Sequence, residues 1–192
     1  MDIYITRHGQ TEWNVAYRMQ GLNNSPLTKE GVNGAIKLGK ELNGMTPRFS
    51  MCFVSPLKRA MDTTELALSQ VDYEIPVTVE TLLREMDLGA FEGMNKQDAS
   101  YVYPEAYEAF VHDPDNYEPV DGGESFADVI ERARQMLDKL HELKKEGESG
   151  PVLLVSHMIM VEALLFASGT TDAKNLRETG PIKQTTLYKL TV

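Results

Sequence analysis

The stretch Ile3-Tyr4-Ile5-Thr6-Arg7-His8-Gly9-Gln10-Thr11-Glu12-Trp13-Asn14 opens as a short aliphatic, β-branched run and breaks after Arg7-His8 into a polar segment that contains glycine. The run reads as a buried strand. Its polar end reads as a strand-to-loop junction that gathers a cation, an imidazole, a permissive backbone position and several hydrogen-bonding groups. The pattern returns at Val152 to Val155, which leads into Ser156-His157. Met51 to Val54 and Pro76 to Val79 also read as buried strands, and Thr186 to Val192 as a last strand. Helical patterns lie between most of them. Thr28 is placed to cap a helix reaching about Asn43, and Ser55-Pro56 reads as an N-cap followed by proline at the first helical position, opening a helix to about Ser69. Ser125 and Asp128 resemble a capping box for a helix in which Phe126, Val129, Ile130, Ala133, Leu137 and Leu140 keep a 3.6-residue period up to Glu146-Gly147. A final helix follows His157 and stops near Gly169. Strands alternating with helices predict an α/β fold, a three-layer α/β/α sandwich with a mainly parallel central sheet, in which sites form at the carboxyl ends of strands.

The 192 residues, 42% hydrophobic and 25% charged, are enough for one domain spanning 1–192 with a substantial core. A net charge of -10 argues against nucleic acid or an acidic membrane as partner, so an anionic small substrate needs a local basic pocket. The longest apolar run, Met158 to Ala167, is too short to span a membrane and carries Glu162. Met1 to Thr6 has neither the basic flank nor the cleavage site of a secretory signal, which leads to the expectation of a cytoplasmic protein. Cys52 is the only cysteine, which excludes an internal disulfide and a cysteine-based zinc cluster, and its apolar surroundings make it a packing residue. Residues 97–120 differ from the rest, with Tyr101, Tyr103, Tyr107, Phe110 and Tyr117 set among acids and prolines. They read as an inserted helical lid at about 94–121, whose aromatics either only pack on the body or also line a substrate pocket.

Two of the four histidines, His8 and His157, fall where a strand gives way to a loop or helix. Arg59, in Ser55-Pro56-Leu57-Lys58-Arg59-Ala60, lies within the first turn after the second strand and reaches the same rim. Two guanidiniums beside two imidazoles form a cage suited to phosphoryl oxygens, because the fork of an arginine matches the geometry of phosphate.

The run Arg7 to Asn14 resembles the defining motif of the histidine phosphatase superfamily, the phosphoglycerate-mutase-like proteins. The resemblance continues in order through Gln20-Gly21, Pro26-Leu27-Thr28, Ser55 to Ala60, Arg84-Glu85-Met86-Asp87-Leu88-Gly89, Glu92-Gly93, Gly122-Gly123-Glu124-Ser125 and Val155-Ser156-His157. It implies that His8 is the nucleophile, that Arg7, Arg59 and His157 hold the non-bridging oxygens with help from Asn14, and that Glu85 is the proton donor. Gln20 and Gly21 fall where the family contacts substrate. No metal and no cofactor is required by this chemistry. The substrate implied is a small phosphorylated metabolite, and hydrolysis is expected over mutase action, because a mutase needs extra cations and residues 94–111 hold only Lys96. A neutral His8 is expected, held so by neighbouring arginines and by a backbone carbonyl that fixes its tautomer. Two positions depart from the family pattern: Asn24 replaces a common aspartate and Met158 a common glycine, neither expected to touch the reaction centre directly. His112 and His141 are expected on the surface or lid. Which metabolite is the substrate, and the oligomeric state, are left open.

Overall fold

The computed structural model describes residues 1–191. Its sheet contains β1 (Ile3–Arg7), β2 (Met51–Val54), β3 (Val77–Val79), β4 (Val152–Ser156) and β5 (Leu187–Leu190) in the order β3-β2-β4-β1-β5. All neighbours pair in parallel except β5, which runs antiparallel to β1. The helices are α1 (Glu12–Val15), α2 (Lys29–Gly44), α3 (Lys58–Leu68), α4 (Lys96–Val102), α5 (Pro104–His112), α6 (Phe126–Lys145) and α7 (Met158–Ala167).

The two-residue period of the strands sorts side chains into two layers. Ile3, Ile5, Phe53, Val152 and Leu154 face one way and join a core with Val129, Ala133 and Met136 of α6 and Met160, Ala163 and Leu164 of α7. Cys52, Val54, Leu153 and Val155 face the other way and meet Leu38 and Leu42 of α2 and Ala60 and Ala67 of α3. Cys52 is a fully buried packing residue, as expected. The second layer is thin at Gly39, where a Cβ would overlap the Ala67 carbonyl, so the glycine lets α2 and α3 approach. Among the described residues no helix is long and apolar enough to cross a membrane.

Thr28 caps α2 by accepting from the Gly31 amide at 3.0 Å, and Ser125 and Asp128 form the reciprocal box that starts α6. Three expectations are corrected. β3 is not buried: Val77 is 48% and Val79 52% exposed, because this strand is the edge of the sheet. Ser55 is not the cap of α3, which starts at Lys58 behind Leu57. The last strand ends at Leu190, and Val192 lies outside the described residues.

The insertion folds as α4 and α5, and Phe110 and Tyr117 pack against Phe126 of α6 with ring centroids 5.4 and 5.5 Å away. Tyr107 and Phe110 also line a cavity of about 910 Å³, so the aromatics do more than pack on the body. His112, at the end of α5, and His141, on α6, are exposed.

Candidate active site

The sheet itself brings the two histidines together. Arg7 pairs with Ser156 in the β1–β4 ladder, and the His8 amide donates to the Ser156 carbonyl at 2.9 Å. His8 and His157 are therefore the first residues beyond two neighbouring parallel strands, and their ring centroids stand 5.1 Å apart. Arg59 arrives from the next strand over, in the first turn of α3, and its Nε donates to His8 Nε2 at 3.1 Å.

The remaining Arg59 donors are held by the loop after α1. They reach the carbonyls of Gly21 and Asn23 and the side-chain oxygen of Asn24. Asn24 thus touches the cage directly, against the expectation that it would not. The loop is pinned in turn by Glu92, which accepts from the Leu22 amide at 2.6 Å and the Asn23 side chain at 2.7 Å. Gly21 has φ +50°, and a Cβ there would collide with the Glu92 carboxylate, so the turn requires glycine.

Thr63 ties the loop after His8 to α3: its hydroxyl accepts from the Gly9 amide at 2.9 Å and donates to the Arg59 carbonyl at 2.7 Å. Glu85 places its carboxylate at the N-terminus of α7, where it accepts from the Ile159 and Met160 amides at 3.3 Å each and from Met86 at 3.0 Å. Arg132 of α6 fixes the backbone under it, donating to the carbonyls of Leu82, Arg84 and Glu85 while forming an ion pair with Glu124 at 2.9 Å. Asn14 shares its side-chain oxygen with the Thr11 amide and Gln184, and Gln20 donates to the Thr11 hydroxyl at 2.8 Å.

Burial decides the protonation states. His8 is enclosed, and desolvation first, then the Arg59 and Arg7 charges, push it well below the usual imidazole range. The Gly9 carbonyl, 2.7 Å from Nδ1, can only accept, so the single proton of the neutral ring sits on Nδ1 and the Nε2 lone pair is left for chemistry. His157 is pushed well below the same range by burial, Arg59, His8 and Arg7. Burial lowers Arg59 to about 10 against the pull of Glu85, with Arg7 adding to the fall, so the guanidinium stays charged at neutral pH.

Seven of the eight residues singled out in the sequence (Arg7, His8, Asn14, Gln20, Gly21, Arg59 and Glu85) line one cavity of about 910 Å³. His157 does not line it; it lies fully buried beneath. Two buried nitrogens of the cage, Arg7 Nε and His157 Nδ1, have no protein partner. Met158 reaches the cavity wall. So do Arg18, Arg177 and Lys183 beside Lys96, which gives the wall more positive charge than residues 94–111 alone supply. Arg177 is paired with Glu162 at 3.1 Å and Arg18 donates to the Gly93 carbonyl. Among the described residues no group of three or more His, Cys, Asp or Glu side chains is arranged to hold a metal ion.

Sequence reasoning missed Ser55 as a partner of His157, along with Thr63, Arg132, Gln184 and Arg177. Ser55 lay inside a quoted motif but carried a stronger local signal as a cap. Arg177 and Gln184 sit in a stretch without periodicity and carried no signal.

A sequence profile of the histidine phosphatase superfamily (branch 1) matches residues 3–192. A metal-independent phosphoserine phosphatase of Arabidopsis thaliana is 31% identical over 163 residues, covering 85% of this chain and 66% of that protein. A 2,3-bisphosphoglycerate-dependent phosphoglycerate mutase of Rhodopseudomonas palustris is 35% identical over 140 residues, covering 68% of this chain and 63% of the mutase. The chain thus spans just under two thirds of the length of these relatives. The solved structure of Bacillus stearothermophilus YhfR superposes with a TM-score of 0.86 at 32% identity, covering 98% of this chain and 89% of that one. Because the profile match runs from residue 3 to residue 192, it takes in both histidine-bearing strands, the helix that delivers Arg59 and the loop that delivers Glu85, and the chain belongs to branch 1 of the histidine phosphatase superfamily.

Proposed function

We propose that the chain, as one domain, is a metal-independent phosphomonoester hydrolase that works through a phosphohistidine on His8. The observation that carries the reading is the meeting of a neutral, tautomerically defined His8 with two buried nitrogens, Arg7 Nε and His157 Nδ1, that lack protein partners. Buried polar groups are costly to leave unpaired, and a tetrahedral anion supplies acceptors for both.

In this mechanism the arriving phosphoryl oxygens take over donors of Arg59 that now rest on His8 and on the loop carbonyls, which frees the Nε2 lone pair. Arg7, Arg59 and His157 then hold the non-bridging oxygens, with Asn14 assisting and Gln20 and Gly21 contacting the remainder of the substrate. His8 Nε2 attacks phosphorus in line, and an N–P bond forms as the bond to the leaving oxygen breaks. Glu85 gives that oxygen its proton. Water then attacks phosphorus, Glu85 takes a proton back, the N–P bond breaks and inorganic phosphate leaves. Guanidinium and imidazole donors supply the charge stabilisation for which other phosphatases use a metal.

The substrate is a small phosphorylated metabolite. The plant relative's name points to phosphoserine, which also carries a carboxylate, and Lys96 and Lys183 on the cavity wall suit such a group. The same cations favour a second reading, in which phosphohistidine passes its group to another hydroxyl, as the mutase relative's name describes. Hydrolysis is preferred because the insertion itself supplies only Lys96 and the charge of Arg177 is offset by its ion pair with Glu162, which leaves fewer cations than a second phosphate calls for.

The test is phosphate release over a panel that includes phosphoserine and 3-phosphoglycerate, with chelator present, beside an assay for transfer between hydroxyls. Release without transfer is expected, with alkali-stable, acid-labile label trapped on the protein and turnover falling at least about 10³-fold in His8→Ala. Chelator sensitivity, or full turnover in His8→Ala, sinks the mechanism; transfer without release selects the mutase.

A further inference from the structure

A neutral His157 can hold a phosphoryl oxygen only if its one proton is on the nitrogen that meets that oxygen. The ring lacks a carbonyl partner of the kind that fixes His8. Its Nε2 stands 2.7 Å from the Ser55 hydroxyl, and Nδ1 is the buried nitrogen without a partner. With the proton on Nε2, the ring would donate to Ser55 and turn a lone pair towards the anion, which repels it.

Ser55 decides between these arrangements. The serine is fully buried, and its oxygen accepts from the Leu57 amide at 3.2 Å. Among the described residues its own proton meets one acceptor, His157 Nε2. If Nε2 carried the ring proton, the Ser55 hydroxyl hydrogen would be buried with nothing to accept it, a cost that the other tautomer avoids. The serine is itself held in place from both sides: its amide donates to the Val155 carbonyl at 3.0 Å, and Pro56 stiffens the turn that brings the Leu57 amide back onto Oγ.

We infer that Ser55 is a positioning residue which donates to His157 Nε2 and so locks His157 in its Nδ1–H form, making a neutral imidazole a hydrogen-bond donor to the phosphoryl group. The inference rests on the phosphoryl-binding reading above for its purpose, but the tautomer can be read without turnover. The donation does not compete with the acceptor role of the same oxygen, which takes the Leu57 amide in the turn that precedes α3.

The experiment uses the full chain labelled with ¹⁵N-histidine, with the resonances of the four histidines assigned by single substitution. In the wild type at pH 7.5, long-range ¹H–¹⁵N spectra are expected to show a protonated Nδ1 and a bare Nε2 on His157. A protonated Nε2 overturns the inference. In Ser55→Ala the His157 pattern is expected to move towards Nε2–H while the His8 pattern stays, and Ser55→Thr is expected to restore it. A folded Ser55→Ala with His157 unchanged also overturns it. Binding of inorganic phosphate is expected to weaken about 10-fold or more in Ser55→Ala and to recover in Ser55→Thr, as expected for loss of a charge-assisted hydrogen bond to the anion. If the wild type shows the Nδ1–H form yet releases phosphate from no ester, the hydrolase reading fails while the tautomer assignment stands.

Discussion

Replacing Glu162 by glutamine keeps the shape of a side chain set in the apolar run of α7 and removes its titration. Glu162 is 5% exposed. Burial raises its carboxyl from the ordinary 4.5 to about 7 against the pull of Arg177, with Glu85 adding to the rise and Arg7 opposing it. The folded state therefore binds this proton more tightly than the unfolded chain does. The resulting stability is fully present below about pH 4.5 and is lost as pH rises through about 7. In full the loss is about 2.5 pH units at about 1.36 kcal/mol each, or roughly 3 kcal/mol, and the portion falling between pH 5.5 and 8 is roughly 2 kcal/mol. Urea unfolding of wild type and Glu162→Gln at intervals across that range gives the difference directly. Glutamine also removes the ion pair with Arg177, but that pair forms only as Glu162 ionises and its pull is already contained in the value of about 7, so the comparison of slopes needs no separate allowance for it. The wild type is expected to lose roughly 2 kcal/mol relative to the variant between pH 5.5 and 8. Curves that stay parallel would show that the carboxyl ionises as it does in water, and the reasoning from burial would be wrong.

Two further outcomes are expected. Gly39→Ala places a methyl group against the Ala67 carbonyl, and backbone cannot swing aside as a side chain would. The gain in helix propensity should be outweighed, with a net loss of about 1–3 kcal/mol; an unchanged or higher melting temperature would contradict the close α2–α3 approach. In a histidine NMR titration, His8 and His157 should remain neutral rings from pH 8 down through 6.5, since both are pushed well below that value. The stability tied to these two rings is present above pH 6.5 and is lost as pH falls through their folded values. A His8 signal that charges at 6.5 or above would refute the enclosed, cation-flanked site.

Much of the fold was legible because its signals are local. β1, β2 and β4 are aliphatic runs whose length and content identify them, and the Ser125–Asp128 box marks the start of α6 within four residues. β3 has the same composition as a buried strand, and only its place at the sheet margin exposes Val77 and Val79. Sheet order is a tertiary fact that no window of sequence contains. The site divides in the same way. His8, Arg59 and Glu85 could be identified because their motifs are dense, whereas the partners that set their states come from far along the chain. Ser55 reads as a cap since Ser-Pro is a good local cap signature, but its oxygen accepts from the Leu57 amide in the turn before α3, and the imidazole it also meets is distant in sequence. Asn24 stood out as a departure from the family pattern, but that it grips Arg59 follows from how the loop curls around Gly21. His8 was expected to be neutral because of its arginines, and enclosure proves the larger cause.

The bond from the His8 amide to the Ser156 carbonyl extends the ladder of the two central strands one residue past Arg7. The spacing of the imidazoles is therefore set by sheet geometry, while the cavity mouth is shaped by α4, α5 and the segment around Lys183. Tolerance to change should be divided accordingly. Substitutions at the mouth can reshape the opening without moving the histidine pair, whereas even a slight slip between β1 and β4 would separate the two imidazoles while the mouth stayed intact.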